Sequence, residues 1–226
     1  METPREAKRH TEYLIFATLI VFMFSLTIMI WNRVPNDASI PVHWGIDGKP
    51  DRFGGKMEGL LLIPLISLLF TFLYWLIPKI DPRKFNVEKS RKAYVVIIMA
   101  IMTFMAVVHS IMAASACGRT INVSIIIPAA VGVLFMILGN YMGKIRSNFF
   151  LGFRTPWTLS SDLSWNKTHR LAGWIMVIFG LMLASTAIIG NGTATMIVFL
   201  SGMLATIAIP TIYSYLKWKS DPGRKR

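Results

Sequence analysis

Apolar residues in this chain come in long blocks, with neither the alternation of a half-buried strand nor the three-to-four spacing of a surface helix. Six blocks lack Asp, Glu, Lys and Arg altogether: 13–31, 59–77, 93–117, 121–142, 171–189 and 193–216. A hydrocarbon core of about 30 Å is crossed by about 20 helical residues, and blocks of about 18 already qualify. The pattern therefore predicts an all-α integral membrane protein with six transmembrane helices. The first block follows Arg5, Lys8 and Arg9 as a secretory signal would, but it leads into "WNRVPND" instead of a small-residue cleavage site. That is the profile of a retained span.

Composition agrees, at 54% hydrophobic and 15% charged residues over 226 positions, with a mean hydropathy of +0.54. The net charge of +13 would suit nucleic acid if it formed one patch. Instead, 19 of the 24 Lys and Arg fall before the first span, after the second, after the fourth and after the sixth. By the positive-inside rule those segments are cytoplasmic. The expected placement is a multi-pass membrane protein, N-in and C-in, with lipid contacts and no direct binding of nucleic acid. No cofactor is expected.

Two units are read along the chain: 1–92, a helix pair with an exported loop at 32–58, and 93–226, four helices with a cytoplasmic loop at 143–170. The links "GRT" and "GNG" are tight turns, and 79–92, "KIDPRKFNVEKSRK", reads as a charged, solvated connector. The tail "KWKSDPGRKR" reads as disordered, with Trp218 at the interface. Pro64, Pro128 and Pro210 lie within spans, where neighbouring helices tolerate kinks. The lone Cys117 reads as a small packing residue, and His109 as a packed, hydrogen-bonded histidine. Spans without charges argue against an ion-coupled transporter.

In the exported loop, "IPVHWGIDGKPDRFGGK" holds four Gly and two Pro that forbid a continuous helix. Turns, one of them at "DGKP", would present His43, Trp44, Asp47, Asp51, Arg52 and Lys56. His43, Asp47 and Asp51 are weak metal candidates, because there is no second His and no Cys ligand; a structural His–Asp hydrogen bond is the simpler expectation. In the inner loop, "FFLGFRTPWTLSSDLSWNKTHR", Pro156 holds Thr155 extended. Thr158, Ser160 or Ser161 can then cap a new helix. Started near Ser161, that helix would carry Asp162, Trp165, Asn166 and His169 on one face. The planar fork of Arg154 suits Asp162, a backbone carbonyl or a lipid phosphate.

Two stretches resemble known patterns. "PVHWGIDGKPDRFGGK" is similar to a short exported motif of a bacterial membrane domain, carried here by Pro41, His43, Trp44, Gly48, Asp51 and Lys56. "GNYMGKIRSN" through "GFRTPWTLSSDLSWNKTHRLAGW" resembles the core signature of the SdpI family of bacterial membrane immunity proteins. Its positions are Gly139, Asn140, Asn148, Gly152, Arg154, Thr155, Pro156, Trp157, Thr158, Leu159, Trp165 and His169.

The resemblance implies resistance to a secreted peptide toxin met outside, and signalling by recruitment of a transcriptional repressor inside. It implies no chemistry, and no catalytic motif is recognised. The alternatives are a membrane-embedded hydrolase acting on lipid or peptide, through His43 with its aspartates, Asp162 with His169, or a metal, and a peptide exporter.

Overall fold

The computed structural model describes residues 4–45 and 47–224, with side chains from residue 9 onward among the first ten. Arg5 and Lys8, flanking the first span, and Lys225 and Arg226 of the basic tail lie outside the described side chains. The elements in order are α1 (Pro4–Trp31), β1 (Ile40–Trp44), β2 (Pro50–Gly54), α2 (Lys56–Ile80) and α3 (Lys84–Lys89). They continue with α4 (Arg91–Ala116), α5 (Val123–Met142), α6 (Pro156–Leu159), α7 (Asp162–Ile189) and α8 (Gly192–Lys219). Six helices are long and apolar enough to cross a membrane: α1 from Arg9, α2, α4, α5, α7 and α8. The helices run on through Pro64, Pro128 and Pro210.

Two compact units emerge: Met1–Leu73 with Ile101–Ile127, and Tyr74–Ala100 with Pro128–Arg226. They are discontinuous in sequence because α2, α4 and α5 each contribute to both.

In the first unit, the 32–58 loop contains a two-stranded antiparallel sheet that the turn residues alone did not announce. Ile40 pairs with Gly54, Pro41 with Phe53, His43 with Arg52 and Trp44 with Pro50, with irregularities on either side of His43. Ile40 anchors the hairpin in a buried cluster with Ile30, Val34, Leu60 and Ala113. Below it, His109 is fully buried, with Nε2 3.1 Å from both the Met23 carbonyl and the Thr27 hydroxyl. Thr27 in turn donates to the Leu60 carbonyl at 2.8 Å. His109 is thus the packed, hydrogen-bonded residue expected. Cys117 is exposed beyond the end of α4, so it is not the packing residue expected.

In the second unit, α5 and α7 approach until backbones touch. A methyl on Gly139 would stand 2.5 Å from the Gly173 carbonyl oxygen, and one on Gly132 would stand 2.6 Å from that of Gly180. Both pairs are separated by seven residues on each helix, so a single antiparallel register satisfies them together. Small residues are what allow such an approach in a membrane, where apolar burial gives helices no reason to prefer each other over lipid. Phe179 fills the next layer, edge-on to Phe135 at 4.7 Å and tilted against Phe199.

Candidate functional site

Chemistry-bearing side chains gather in the second unit, around the segment between α5 and α7. Its backbone lacks regular structure from Lys144 to Thr155, so each polar group there needs a partner. Asn148, 2% exposed, supplies four. Its Nδ2 donates to the carbonyls of Arg146 (2.9 Å) and Leu151 (3.1 Å). Its Oδ1 accepts from the N–H groups of Phe150 (2.9 Å) and Leu151 (2.7 Å). One side chain therefore replaces the ladder that a helix or strand would have provided.

The segment is also held from behind by 81–91, which is the reverse of the solvated connector expected. Asp81 is 2% exposed; Oδ1 accepts the Arg83 N–H at 2.6 Å and Oδ2 the Phe149 N–H at 2.9 Å. Arg83 donates to the Ser147 hydroxyl and, at 2.9 Å, to the Leu159 carbonyl, with its guanidinium 4.9 Å from the Phe149 ring centre. Asn86 donates to the Ser147 carbonyl at 2.9 Å, and the Ser90 hydroxyl accepts the Arg146 N–H at 2.8 Å. The only sequence signal was Asp81-Pro82-Arg83, an aspartate able to fold back on the N–H two residues on.

Thr155 is extended and caps α6: it accepts the Thr158 N–H, and Thr158 Oγ1 accepts the Thr155 N–H at 3.0 Å. Pro156 sits at the first helical position, where its missing N–H costs nothing. Thr158, fully buried, also donates to the Phe153 carbonyl at 2.7 Å. Trp157 stands edge-on to Tyr215 at 5.2 Å. Ser161 then caps α7, as one of the candidate caps expected, by accepting the Ser164 N–H.

On α7, Trp165 and His169 face inward, 1% exposed each, with rings stacked at 4.0 Å. Trp165 Nε1–H donates to the Ile145 carbonyl at 2.7 Å. His169 Nδ1 lies 2.8 Å from the Trp165 carbonyl, and Nε2 accepts the Phe153 N–H at 3.0 Å. Only the neutral ring protonated on Nδ1 satisfies both partners. Asp162 and Asn166 are exposed, which corrects the single face expected. The buried stripe is Ser161, Ser164, Trp165, Thr168, His169 and Ala172. At about 100° per residue, Asp162 falls about 20° past its edge and Asn166 about 60° past it. Asn140 is likewise exposed on α5, outside the loop network.

The end of α8 closes the arrangement. Ser164 donates to the Ser214 carbonyl at 2.7 Å, and the hydroxyls of Thr155 and Ser214 are 3.0 Å apart. Ser161 donates to Asp221 at 2.5 Å, so the tail is folded as far as that contact, not loose as expected. That hydroxyl, with the Gly223 N–H, holds the Asp221 carboxyl below its usual range. Arg154 stays exposed, and the bond it makes is to the Phe149 carbonyl at 2.7 Å, one of the acceptors anticipated.

Gly152 has φ +102°, and a methyl on it would run into His169 Nε2. Gly152→Ala is therefore expected to cost about 1–3 kcal/mol, from left-handed backbone strain and the displaced ring. Thermal unfolding in detergent checks this.

In the hairpin, His43 Nδ1 is 2.5 Å from Asp51 Oδ1, both exposed, as the simpler expectation had it. Asp47 Oδ1 instead accepts the Lys49 N–H at 3.0 Å. Among the described residues no group of three His, Cys, Asp or Glu is placed to hold a metal. Trp44 is half-buried and Arg52 pairs with Glu58 at 2.8 Å. Lys56 is not presented to solvent: it is 7% exposed, with Nζ 3.2 Å from Asn36 Oδ1 and 4.5 Å from the Trp31 ring centre. Gly48 gives the hairpin tip room against Ser124 at the start of α5.

Comparison with known proteins bears out the resemblance read from the two motifs. Residues 144–214 match the model of the SdpI/YfhL protein family, and residues 18–68 match a domain of unknown function, DUF1648. The chain is 22% identical to the Immunity protein SdpI of Bacillus subtilis (strain 168) over 215 residues, covering 94% of this chain and 98% of that one. No solved structure matches. With the six apolar helices, these similarities make the chain a multi-pass membrane protein.

Proposed function

We propose, from a multi-pass chain that carries an SdpI-like segment, that this protein is a bacterial plasma-membrane immunity and signalling protein rather than an enzyme. The charge distribution supports both termini in the cytoplasm, with the hairpin outside and the 143–170 region inside. The hairpin would meet a secreted peptide toxin, and the folded inner segment would be the surface read by a transcriptional repressor. For the two events to be coupled, the toxin must bind one helix arrangement better than another. The observation that carries this reading is the inner segment itself. Its backbone is satisfied internally by Asn148, Asp81 and His169, while Arg154 is left exposed.

The same geometry weakens the form of the hydrolase alternative that uses Asp162 with His169. A general base must reach a substrate proton, and both His169 nitrogens are engaged by backbone in a buried ring, with Asp162 on the exposed side.

The test is survival of a sensitive bacterium expressing the chain, challenged with a membrane-active peptide secreted by the source organism. Wild type should protect. A His43→Ala/Asp51→Ala variant, which breaks an exposed pair, should reach the membrane in equal amount yet protect less. Unchanged protection by that variant, and by one with 41–52 replaced by a Gly-Ser linker, would sink the outside-sensor role. Arg154→Ala should move stability by no more than about 0.5 kcal/mol while reducing repressor recruitment to isolated membranes.

A further inference from the structure

A second site shares Ser90 with the loop network. Lys89, Ser90, Lys92, Ala93, Tyr141 and Lys144 line an open cleft of about 190 Å³. That is smaller than the roughly 300 Å³ at which pockets for drug-sized ligands begin. It suits a headgroup rather than a whole metabolite.

Three of its six lining residues are lysines, and none of the three pairs with a carboxylate among the described residues. The acid nearest in sequence, Glu88, is engaged by Arg91 at 3.7 Å. Aromatic faces position two of the cations: Lys89 Nζ is 4.1 Å from the Phe85 ring centre, and Lys144 Nζ 4.3 Å from that of Tyr141. The cleft sits where two candidate spans end. Lys92 is the second residue of α4, and Lys144 follows the last residue of α5 by two. Tyrosines and lysines at such positions are those that meet lipid headgroups.

Like charges gathered around one cleft without carboxylate partners repel one another, and an anion among them relieves that repulsion. We propose that this cleft binds a phosphate group, and that its source is the headgroup of an anionic phospholipid lying against α4 and α5. Ser90 joins the cleft to the inner segment, because its hydroxyl holds the Arg146 N–H. A bound headgroup therefore bridges α4 and the start of that segment. The inference does not depend on what the chain recognises outside.

The experiment uses the full chain purified in neutral detergent. Retained lipid is counted by native mass spectrometry, and thermal unfolding is followed with added phosphatidylglycerol, phosphatidylcholine or inorganic phosphate. Wild type is expected to retain phosphatidylglycerol and to melt higher with it than with phosphatidylcholine. The Lys89→Gln/Lys92→Gln/Lys144→Gln variant should bind it at least about tenfold more weakly, given the strength of a charge-assisted hydrogen bond to a phosphate oxygen. The charge-matched Lys84→Gln/Lys167→Gln/Lys219→Gln variant should bind like wild type. A shift by inorganic phosphate alone, abolished in the first variant only, would keep the phosphate site and overturn its lipid source. Equal retention by the two variants would overturn the site.

Discussion

Asn148→Asp is expected to unfold the segment between α5 and α7 while the six long helices persist. The substitution keeps shape and volume, so any effect comes from hydrogen-bond polarity. The amide nitrogen now donates to two carbonyls, and a carboxylate oxygen in its place would face both of them with like charge. Two acceptors would be left unpaired at a position 2% exposed. Unpaired buried polar groups cost about 1–3 kcal/mol each, and an uncompensated buried charge about 3–5 kcal/mol. With some relief from water at the segment's exposed side, a net loss of about 3 kcal/mol is expected.

Trypsin should then cleave at Arg146 and Arg154 far faster than in wild type, while far-ultraviolet circular dichroism changes little. The pH dependence gives a second check. The introduced carboxyl is disfavoured as an anion in the folded state, so its folded pKa lies above the unfolded value near 3.9. The penalty is full at neutral pH and shrinks as falling pH protonates the group. The native Asp221 has the opposite sign: its folded pKa is lowered, so its contribution is present above the unfolded value and lost on acidification. Cleavage as slow as wild type at neutral pH would show that Asn148 does not organise the segment.

Gly173→Val has the second large effect. A Cβ here would lie 2.6 Å from the Gly139 carbonyl oxygen and 3.6 Å from the Met142 Cβ. The collision is at the first side-chain atom, so no rotamer escapes it, and α5 and α7 must separate. Overpacking of this kind costs about 1–3 kcal/mol or more. The gain in helix propensity of Val over Gly returns only a few tenths. The melting temperature in detergent should fall by several degrees, and Gly139→Val should mimic it. Gly55→Ala, where an added Cβ meets nothing within 4 Å, should not. Equal melting of the Gly173 and Gly55 variants would remove the glycine contacts as a determinant of the pair.

The spans were legible because a hydrophobic block carries its own meaning, independent of its partners. The capped restart at Ser161 was legible for the same reason, since caps are local. Asp81 and Arg83 were not: a charge-rich stretch reads as solvated until 147–159 returns to bury it, some sixty residues or more later in the chain. Lys56 misled in the same direction, because Trp31 and Asn36, which draw it in, lie before the hairpin. On α7 the periodicity was right and the phase slightly wrong. Asp162 and Asn166 share spacing with Trp165 and His169, and only packing decides where the buried arc ends.

The paired glycines of α5 and α7 also restrict motion. Their seven-residue spacing makes the two helices a keyed shaft: a slide of one residue, about 1.5 Å, drives a side chain into a backbone carbonyl. The next keyed position is seven residues away, about 10.5 Å. The segment between them is thus a bridge on fixed abutments at Met142 and Asp162, and cannot be pulled open by its own ends. A signal that rearranges it must arrive sideways, through Asp81, Arg83 and Ser90 on one flank or Ser214 and Asp221 on the other.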